Sequence, residues 1–578
     1  MQQVASKKNR KSSLAKSTFG KSALIIAAGG ILCKIIGAIY RIPLTNALGS
    51  EGIGLYQLVY SVYALFVVIV TGGITQAISR LVAEGDTKCV KNAFWFCFAL
   101  SLLMTVVLVL LNKTFAYMQG SKLLGMCYFI IAPSVFFVGI SSVFKGYFYG
   151  KMKMGPPTVC SLIEQTVKLV LGLTLAFGLI ERGIDFALYG ALVAVTASEI
   201  LSFVFVAIAY LVSRSKEKKF QKAELFKAEK AERKNKRTKS FNQSKITHKT
   251  LTAASGVALT DAGLNSQSEA LYASGVETEK KEESPLGFLK IAFPFALIAL
   301  LLPLSGFLDS FMIVALTGSK SLYGVYSGSV TTLINMPVMV LLSLAVAVVP
   351  SVSKERAKKD ASGILLKTRL SIKLCLMIGV PAALIMLIFS GEILKIIFPV
   401  LTASELEAGA NLLRIMSVSV VLSSMAQIIG SILGALDKTR IYVLAMICGI
   451  AVKTALLLIL SPYISILAAG VAYVSLSLVT LAINLVYLTR YLSLDKLDKS
   501  VAFILVSSLI IALSCLSFKY IFANIYVAFG VALAFSLLVY PALIAAFDVL
   551  NKEETQSLPM SGFLLKFKRK IRFWDKEV

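Results

Sequence analysis

Histidine is nearly absent from this chain, with one, His248, among 578 residues. The eight cysteines are scattered without a Cys-x-x-Cys pair, so neither a zinc site nor a disulfide framework is expected. No Gly-x-x-x-x-Gly-Lys-Ser/Thr loop occurs, which removes the phosphate cradle needed to hydrolyse ATP. Acidic residues are scarce too, 31 against 59 lysines and arginines. A membrane-embedded enzyme needs carboxylates or a histidine converging on a loop, and no extended loop carries such a set. The chain reads as a non-enzyme with no cofactor and no metal.

What fills it instead is apolar. Hydrophobic residues make up 57% and the mean hydropathy is +0.80, against about 45–50% apolar residues in soluble domains. Apolar runs recur at 22–44, 55–79, 92–112, 123–149, 157–180, 186–212, 287–316, 324–350, 368–389, 408–435, 440–460, 464–489, 500–520 and 525–549. Each is near the roughly 20 residues that cross a bilayer. The expectation is an all-α polytopic membrane protein of about fourteen spans. The basic start followed by Ala23–Cys33 looks like a signal peptide, but no small-residue cleavage site follows, so a retained first span is expected.

An even number of spans puts both termini on one side, and both are basic, which marks the cytoplasm of a cell membrane. Lys88, Lys91, Lys151, Lys153, Lys354–Arg369, Lys438, Arg440 and Arg490–Lys499 fall on the same side. Thr45–Gly54, Glu181–Asp185 and Ser461–Tyr463, on the other, carry almost no cations. Lys320 and the Ser390–Glu407 loop fit less well, and Ile393–Val400 reads as a short interfacial helix. The net charge of +28 therefore gathers beside spans, where it favours anionic lipid over nucleic acid.

Composition divides the chain into a basic tail (1–21), a six-span lobe (22–213), a polar and basic linker (214–285), a second six-span lobe (286–490), two further spans (491–550) and a basic tail (551–578). The linker alternates charge through Lys239, consistent with helix, and then turns Ser/Thr/Gly-rich, as disorder does. It serves either as a solvated tether or as a contact for acidic lipid. The tether is favoured, because a bilayer-binding segment needs more large apolar residues on one face.

The lobes echo each other. Gly146-Tyr-Phe-Tyr-Gly150 is followed by Lys-Met-Lys and then by Lys168; Gly430-Ser-Ile-Leu-Gly434 is followed by Asp-Lys-Thr-Arg and then by Lys453. Ala47-Leu-Gly-Ser-Glu-Gly-Ile-Gly-Leu-Tyr resembles Leu316-Thr-Gly-Ser-Lys-Ser-Leu-Tyr-Gly-Val-Tyr, a match that sets Arg41 against Asp309. Repeated lobes of this kind form a central site between moving halves in transporters.

Ionisable and amide side chains within spans are few: Lys34, Arg41, Gln57, Gln76, Glu164, Lys168, Glu199, Asp309, Asn335, Arg414, Gln427 and Lys453. A cation at mid-membrane costs on the order of 3 kcal/mol on insertion scales, so it usually faces a polar cavity. Lys34 and Arg41 stand two helical turns apart on one face and suggest an anion site. Arg41 either faces that cavity or snorkels to the interface, and Arg414 is placed to snorkel as well. Glu164 and Lys168 are spaced to neutralise each other. Lys453 needs a partner from another helix or a ligand. Asp309 reads as a partner for Arg41 or Lys34 across the lobes, or as a cation site. Gly72, Gly73, Pro303, Gly306 and Pro337 are candidate hinges, and the paired Gly146/Gly150 and Gly430/Gly434 are candidate close-packing sites.

Lys34-Ile-Ile-Gly-Ala-Ile-Tyr-Arg41-Ile, Leu48-Gly-Ser-Glu-Gly-Ile-Gly-Leu-Tyr-Gln57, Gly73-Ile-Thr-Gln-Ala-Ile-Ser-Arg80-Leu-Val-Ala-Glu84 and Gln427-Ile-Ile-Gly-Ser-Ile-Leu-Gly434 resemble stage V sporulation protein B-like polysaccharide transporters. These group with MurJ-like lipid II flippases and Wzx-like O-antigen flippases in the MATE-like superfamily. The resemblance is carried by several soft motifs outside the tails and linker. It implies two six-helix lobes in alternating access and an undecaprenyl-pyrophosphate-linked glycan as substrate, with Lys34 and Arg41 at the pyrophosphate. Gln57, Gln76, Lys168, Asp309, Asn335, Gln427 and Lys453 complete the candidate cavity. Two departures stand out: Lys34 replaces the more common arginine, a point charge for a fork, and the second span lacks the arginines of Gram-negative lipid II flippases.

The functional expectation is a flippase for a lipid-linked cell-envelope precursor, driven by membrane potential, Na+ or H+, with anionic lipids and cell-wall synthesis proteins as further partners. A multidrug exporter of the same superfamily, or a scaffold without transport, are the alternatives.

Overall fold

The computed structural model describes residues 2–86, 89–250, 287–492, 499–547, 549–550 and 554–555. Within helices some side chains, including that of Lys34, fall outside the described set. Every regular element among the described residues is helical. Among the described residues, twelve helices are long and apolar enough to cross a membrane, thirteen with one bent pair, against the fourteen spans expected of the chain.

The first of these, Ile35–Ala83, is 49 residues long and takes in the end of the first expected span and all of the second. Helix α1 (Gln2–Thr71) runs through them without a loop, interrupted at Gly49 with φ 68 and ψ 179. That backbone region is essentially restricted to glycine, so the expected Thr45–Gly54 loop is reduced to a break at one residue. Gly73, at φ 73, separates α1 from α2 (Ile74–Ala83).

The first lobe continues with α3 (Cys89–Leu110), α4 (Asn112–Met118), α5 (Leu123–Gly150), α6 (Gly155–Leu179) and α7 (Ile184–Thr250). Helix α6 opens on Pro156 and Pro157, whose fixed φ and missing N–H suit a first turn. Helix α7 runs past Lys239 to Thr250, so helix takes up more of the linker than its composition suggested. The Ser/Thr/Gly-rich part after Thr250 lies outside the described residues.

The second lobe holds α8 (Gly287–Thr317), α9 (Lys320–Gly324), a π-helical turn (Val325–Val330), α10 (Thr331–Ala357), α11 (Ala361–Ile388), α12 (Ser390–Ile397), α13 (Ala403–Ser417), α14 (Ser419–Ala435), α15 (Thr439–Ile464) and α16 (Leu467–Tyr491). The expected short helix near Ile393 is α12. Side-chain caps start several of these helices. Asp360 Oδ1 accepts from Gly363 N at 3.0 Å, and Thr402 forms a capping box with Glu405.

The internal repeat survives as matched turns. After α5, Lys153 N donates to Phe148 O at 2.9 Å around Met152 at φ 56. After α14, Lys438 N donates to Leu433 O at 2.8 Å around Asp437 at φ 59. Both are helix ends closed through a left-handed residue and a six-to-one bond. At the second turn, the Arg356 guanidinium beside Asp437 holds its carboxyl below the usual carboxylate range.

Helices α17 (Lys499–Ile521) and α18 (Ile525–Ala546) pack onto α11 and α12. Lys519 Nζ meets Glu392 Oε1 at 2.7 Å at one end. At the other, Lys373 Nζ meets Glu554 Oε1 at 2.9 Å and donates to Ser500 Oγ at 3.2 Å. Two ion pairs thus tie the last helices to the second lobe.

Candidate functional site

The lobes meet through glycine. A Cβ at Gly54 would overlap the Lys320 carbonyl, and one at Gly324 would overlap the Ser50 carbonyl. Glu405 accepts hydrogen bonds from both Ser50 and Ser321, while Asn46 Nδ2 donates to Ile397 O at 2.9 Å. These contacts fasten α1 to the second lobe at the end away from the basic loops.

Deeper along α1 the lobes part around a cavity of about 400 Å³. Its wall takes Cys33, Gly37, Tyr40, Arg41, Tyr56 and Tyr60 from α1, Gln165 and Lys168 from α6, and Thr332, Asn335, Met336 and Met339 from α10. Gly37 and Arg41 share a face because they are four residues apart on one helix. Tyr40 fits because Gly172 offers no side chain, its ring filling the space a Cβ would need.

Arg41 faces this cavity. Its Nη1 donates to Thr332 Oγ1 across the lobes at 3.4 Å, and among the described residues it forms no ion pair. A guanidinium in a membrane cavity needs a compensating charge, and among the described residues no carboxylate supplies one to Arg41. Lys34 lies two turns earlier on α1, and its side chain falls outside the described residues.

Lys168, 6% exposed, is met by Glu164 Oε1 at 3.4 Å one helical turn away. Gln165 Nε2 donates to the same oxygen at 2.9 Å. Glu199 on α7 is buried as well. Lys145 on α5, absent from the candidate set, reaches the same cluster. Its one sequence signal was a lone cation inside the apolar run 123–149.

Asp309 does not face Arg41 across the lobes. It accepts from Lys453 Nζ at 2.5 Å, with Ser305 Oγ 2.9 Å from the same ammonium and Tyr326 Oη 3.5 Å from the carboxylate. The alignment of the repeats placed Asp309 at the right level but could not say which helix faced it. Lys453 supplies the cation, which also fills Asp309 as a cation site. Of the other candidates, Asn335 lines the cavity, whereas Gln57, Gln76 and Gln427 stand outside its wall. Gln57 is buried with Nε2 unpartnered, and Gln76 is exposed on α2.

The candidate hinges separate. Gly72 and Gly73 press on α8, where a Cβ at Gly73 would fall into the Ala292 carbonyl. Helices α8 and α10 run unbroken past Pro303, Gly306 and Pro337; the irregular backbone is the π turn between them. Gly146 and Gly150 admit the α2 backbone at Thr75 and Ser79. Their counterparts differ: Gly430 is covered by the Tyr442 ring, and Gly434 meets only Thr439 Oγ1 at 3.9 Å. Close helix approach is therefore a property of the first lobe's pair.

A second cavity, also about 400 Å³, lies between α11 and α18. Met377, Pro381 and Ile385 face Leu533, Leu537, Pro541 and Ile544 across it. Its wall is mostly apolar, with Ser536, Tyr540 and Thr555 the exceptions, and has the character of a bed for a hydrocarbon chain.

Residues 19–229 match the polysaccharide biosynthesis protein family, and residues 294–459 match the MatE family. The chain is 24% identical over 572 residues to the stage V sporulation protein B of Bacillus subtilis, covering 96% of this chain and 100% of that protein. It is 23% identical over 209 residues to the lipid II flippase MurJ of Bacillus subtilis, covering 32% of this chain and 38% of that one. Its fold resembles a solved structure of the lipid II flippase MurJ in an inward closed conformation. That match has a TM-score of 0.66 at 13% identity, covering 91% of this chain and 99% of the other. The chain is thus similar along its length to stage V sporulation protein B, matches the polysaccharide biosynthesis protein and MatE models in its two lobes, and shares its fold with MurJ.

Proposed function

We propose that this chain is a flippase that moves an undecaprenyl-pyrophosphate-linked glycan, lipid II or a related polysaccharide unit, across a bacterial plasma membrane. The observation that carries the reading is Arg41, a cation that among the described residues has no carboxylate partner, in a cavity walled by both lobes. Relatives named for lipid II and for low-salt glycan biosynthesis flipping support the substrate class. The pyrophosphate binds Arg41 and Lys168, while Asn335 and Gln165 offer amides to sugar hydroxyls. The prenyl chain stays in the lipid phase, where the groove between α11 and α18 offers an apolar bed. Opening the Ser50–Glu405–Ser321 contact then exposes the site to the other face.

A multidrug exporter of the same superfamily would carry a carboxylate-dominated cavity for cationic drugs; here the cavity wall carries Arg41 and Lys168 instead. Expression in a strain depleted of its lipid II flippase tests the proposal. Wild type should restore growth, and Arg41→Ala and Lys34→Ala should not. Full rescue by both variants would overturn the cationic site.

A further inference from the structure

Part of the cavity wall is aromatic. Tyr56, Tyr60 and Tyr63 follow one another at helical spacing on α1, past the break at Gly49, so they lie on one face. The rings of Tyr56 and Tyr60 are stacked, with centroids 5.9 Å apart and planes 15° apart, and the Tyr63 ring lies 5.5 Å from that of Tyr60. Tyr56 and Tyr63 are buried, whereas Tyr60 is half-buried and borders the cavity. We infer that the Tyr60 ring is the floor of a sugar subsite, on which the pyranose joined to the pyrophosphate stacks its C–H face. The inference rests on the anion site proposed above and adds how that site recognises the first sugar.

A pyranose has two kinds of surface, C–H bonds on its faces and hydroxyls around its rim. An aromatic ring is negative on its face and draws the polarised C–H hydrogens of a sugar. The hydroxyls need donors and acceptors, and the amides of Gln165 and Asn335 stand in the same wall. Tyr40 Oη is buried in that wall and has no hydrogen-bond partner among the described residues, a cost that a ligand hydroxyl removes. Arg41 stands about two turns before Gly49 and Tyr56 about two turns after it, which sets the guanidinium and the rings at one depth. A sugar attached directly to a pyrophosphate at Arg41 is therefore the one within reach of Tyr60.

An aromatic wall also suits an organic cation, which ring faces attract. Arg41 and Lys168 line the same cavity and repel one. Ordinary core packing accounts for Tyr56 and Tyr63, but not for Tyr60, whose ring is braced by its neighbours and yet borders the cavity.

Binding of two farnesyl pyrophosphate diesters to the purified full-length chain tests the subsite. One is capped with a methyl group and the other with N-acetylglucosamine, so the two carry equal charge and differ by the sugar. In each protein the ratio of the two affinities isolates the sugar from whatever a substitution does to the rest of the cavity. Wild type should prefer the sugar-bearing diester by about threefold to tenfold. Tyr60→Phe keeps the ring and should keep the ratio, whereas Tyr60→Leu should bring it to about one. Loss of the preference in Tyr60→Phe would assign recognition to the hydroxyl and overturn stacking. If Tyr60→Leu elutes as aggregate, wild type with ring-deuterated tyrosine replaces it. Magnetic saturation passed from aromatic protons to the sugar C–H protons should then be largely lost, and transfer unchanged by deuteration overturns the inference. Equal affinities in wild type, or a preference that survives in Tyr60→Leu, overturns the sugar subsite alone. Failure of wild type to bind either diester overturns both this inference and the anion site beneath it.

Discussion

Lys453 on α15 and Asp309 on α8 meet at 2.5 Å in the interior of the second lobe, 3% and 9% exposed. Neither charge has water to fall back on, so each depends on the other.

Removing one partner should therefore cost more than removing both. Lys453→Met or Asp309→Asn should each destabilise the protein by about 3–5 kcal/mol, the usual cost of a stranded buried charge. The double variant Asp309→Asn/Lys453→Met should lose less than the two single losses combined. Thermal unfolding in detergent of the four proteins measures the coupling, and additive losses would mean the charges do not depend on each other.

Gly73 and Gly306 should respond in opposite ways to alanine. Gly73 has φ 73 and sits on the Ala292 carbonyl, whereas nothing lies within 4 Å of a Cβ at Gly306. Gly73→Ala should lose about 2 kcal/mol or more, from strain and overpacking. Gly306→Ala should be neutral or gain up to about 1 kcal/mol of helix propensity. Melting temperatures of the two variants test this directly.

Cysteines replacing Ser50 and Ser321, whose hydroxyl oxygens are 3.1 Å apart, should cross-link α1 to α9. The bridge should stop transport by holding the lobes together, and a reductant should restore it. Full transport by a completely cross-linked protein would show that this contact stays closed throughout the cycle.

Neutralising Glu554 should loosen the end of the chain. Glu554→Ala leaves Lys373 without the carboxylate 2.9 Å away in a site where both side chains are 3% exposed. Proteolytic cleavage after α18 should become faster, by about tenfold or more if the pair contributes even 1.4 kcal/mol to docking. An unchanged cleavage rate would remove this pair from the docking of α17 and α18.

Much of the fold is legible in the sequence because a bilayer imposes a length and a polarity on every span. Apolar runs locate the helices, and the repeated Gly146 and Gly430 segments end in the same left-handed turn. Pairing within one helix is legible too, as Glu164 and Lys168 show, because helical spacing alone brings them together. Pairing between helices is not. Lys453 visibly needs a partner, but only the packing of α8 on α15 shows that it is Asp309 and not Arg41 that is engaged. Lys373 and Glu554 are 181 residues apart and leave no local pattern to read. The loop at Thr45–Gly54 is legible, but that Gly49 alone carries the break, with helix on either side, is a matter of one residue's φ and ψ. The cavity residues are partly legible. Arg41, Lys168 and Asn335 stand out as polar groups in apolar spans, whereas Tyr56 and Tyr60 look like ordinary core.

The most direct test of the anion cavity is translocation of an undecaprenyl-pyrophosphate-linked glycan by proteoliposomes holding wild type, Arg41→Lys or Arg41→Ala. Losing a charge-assisted contact of about 1.5–3 kcal/mol should slow Arg41→Ala by about tenfold to a hundredfold. Arg41→Lys, which keeps the charge but loses the fork, should fall between the two. Translocation by Arg41→Ala at the wild-type rate would contradict a pyrophosphate bound at Arg41.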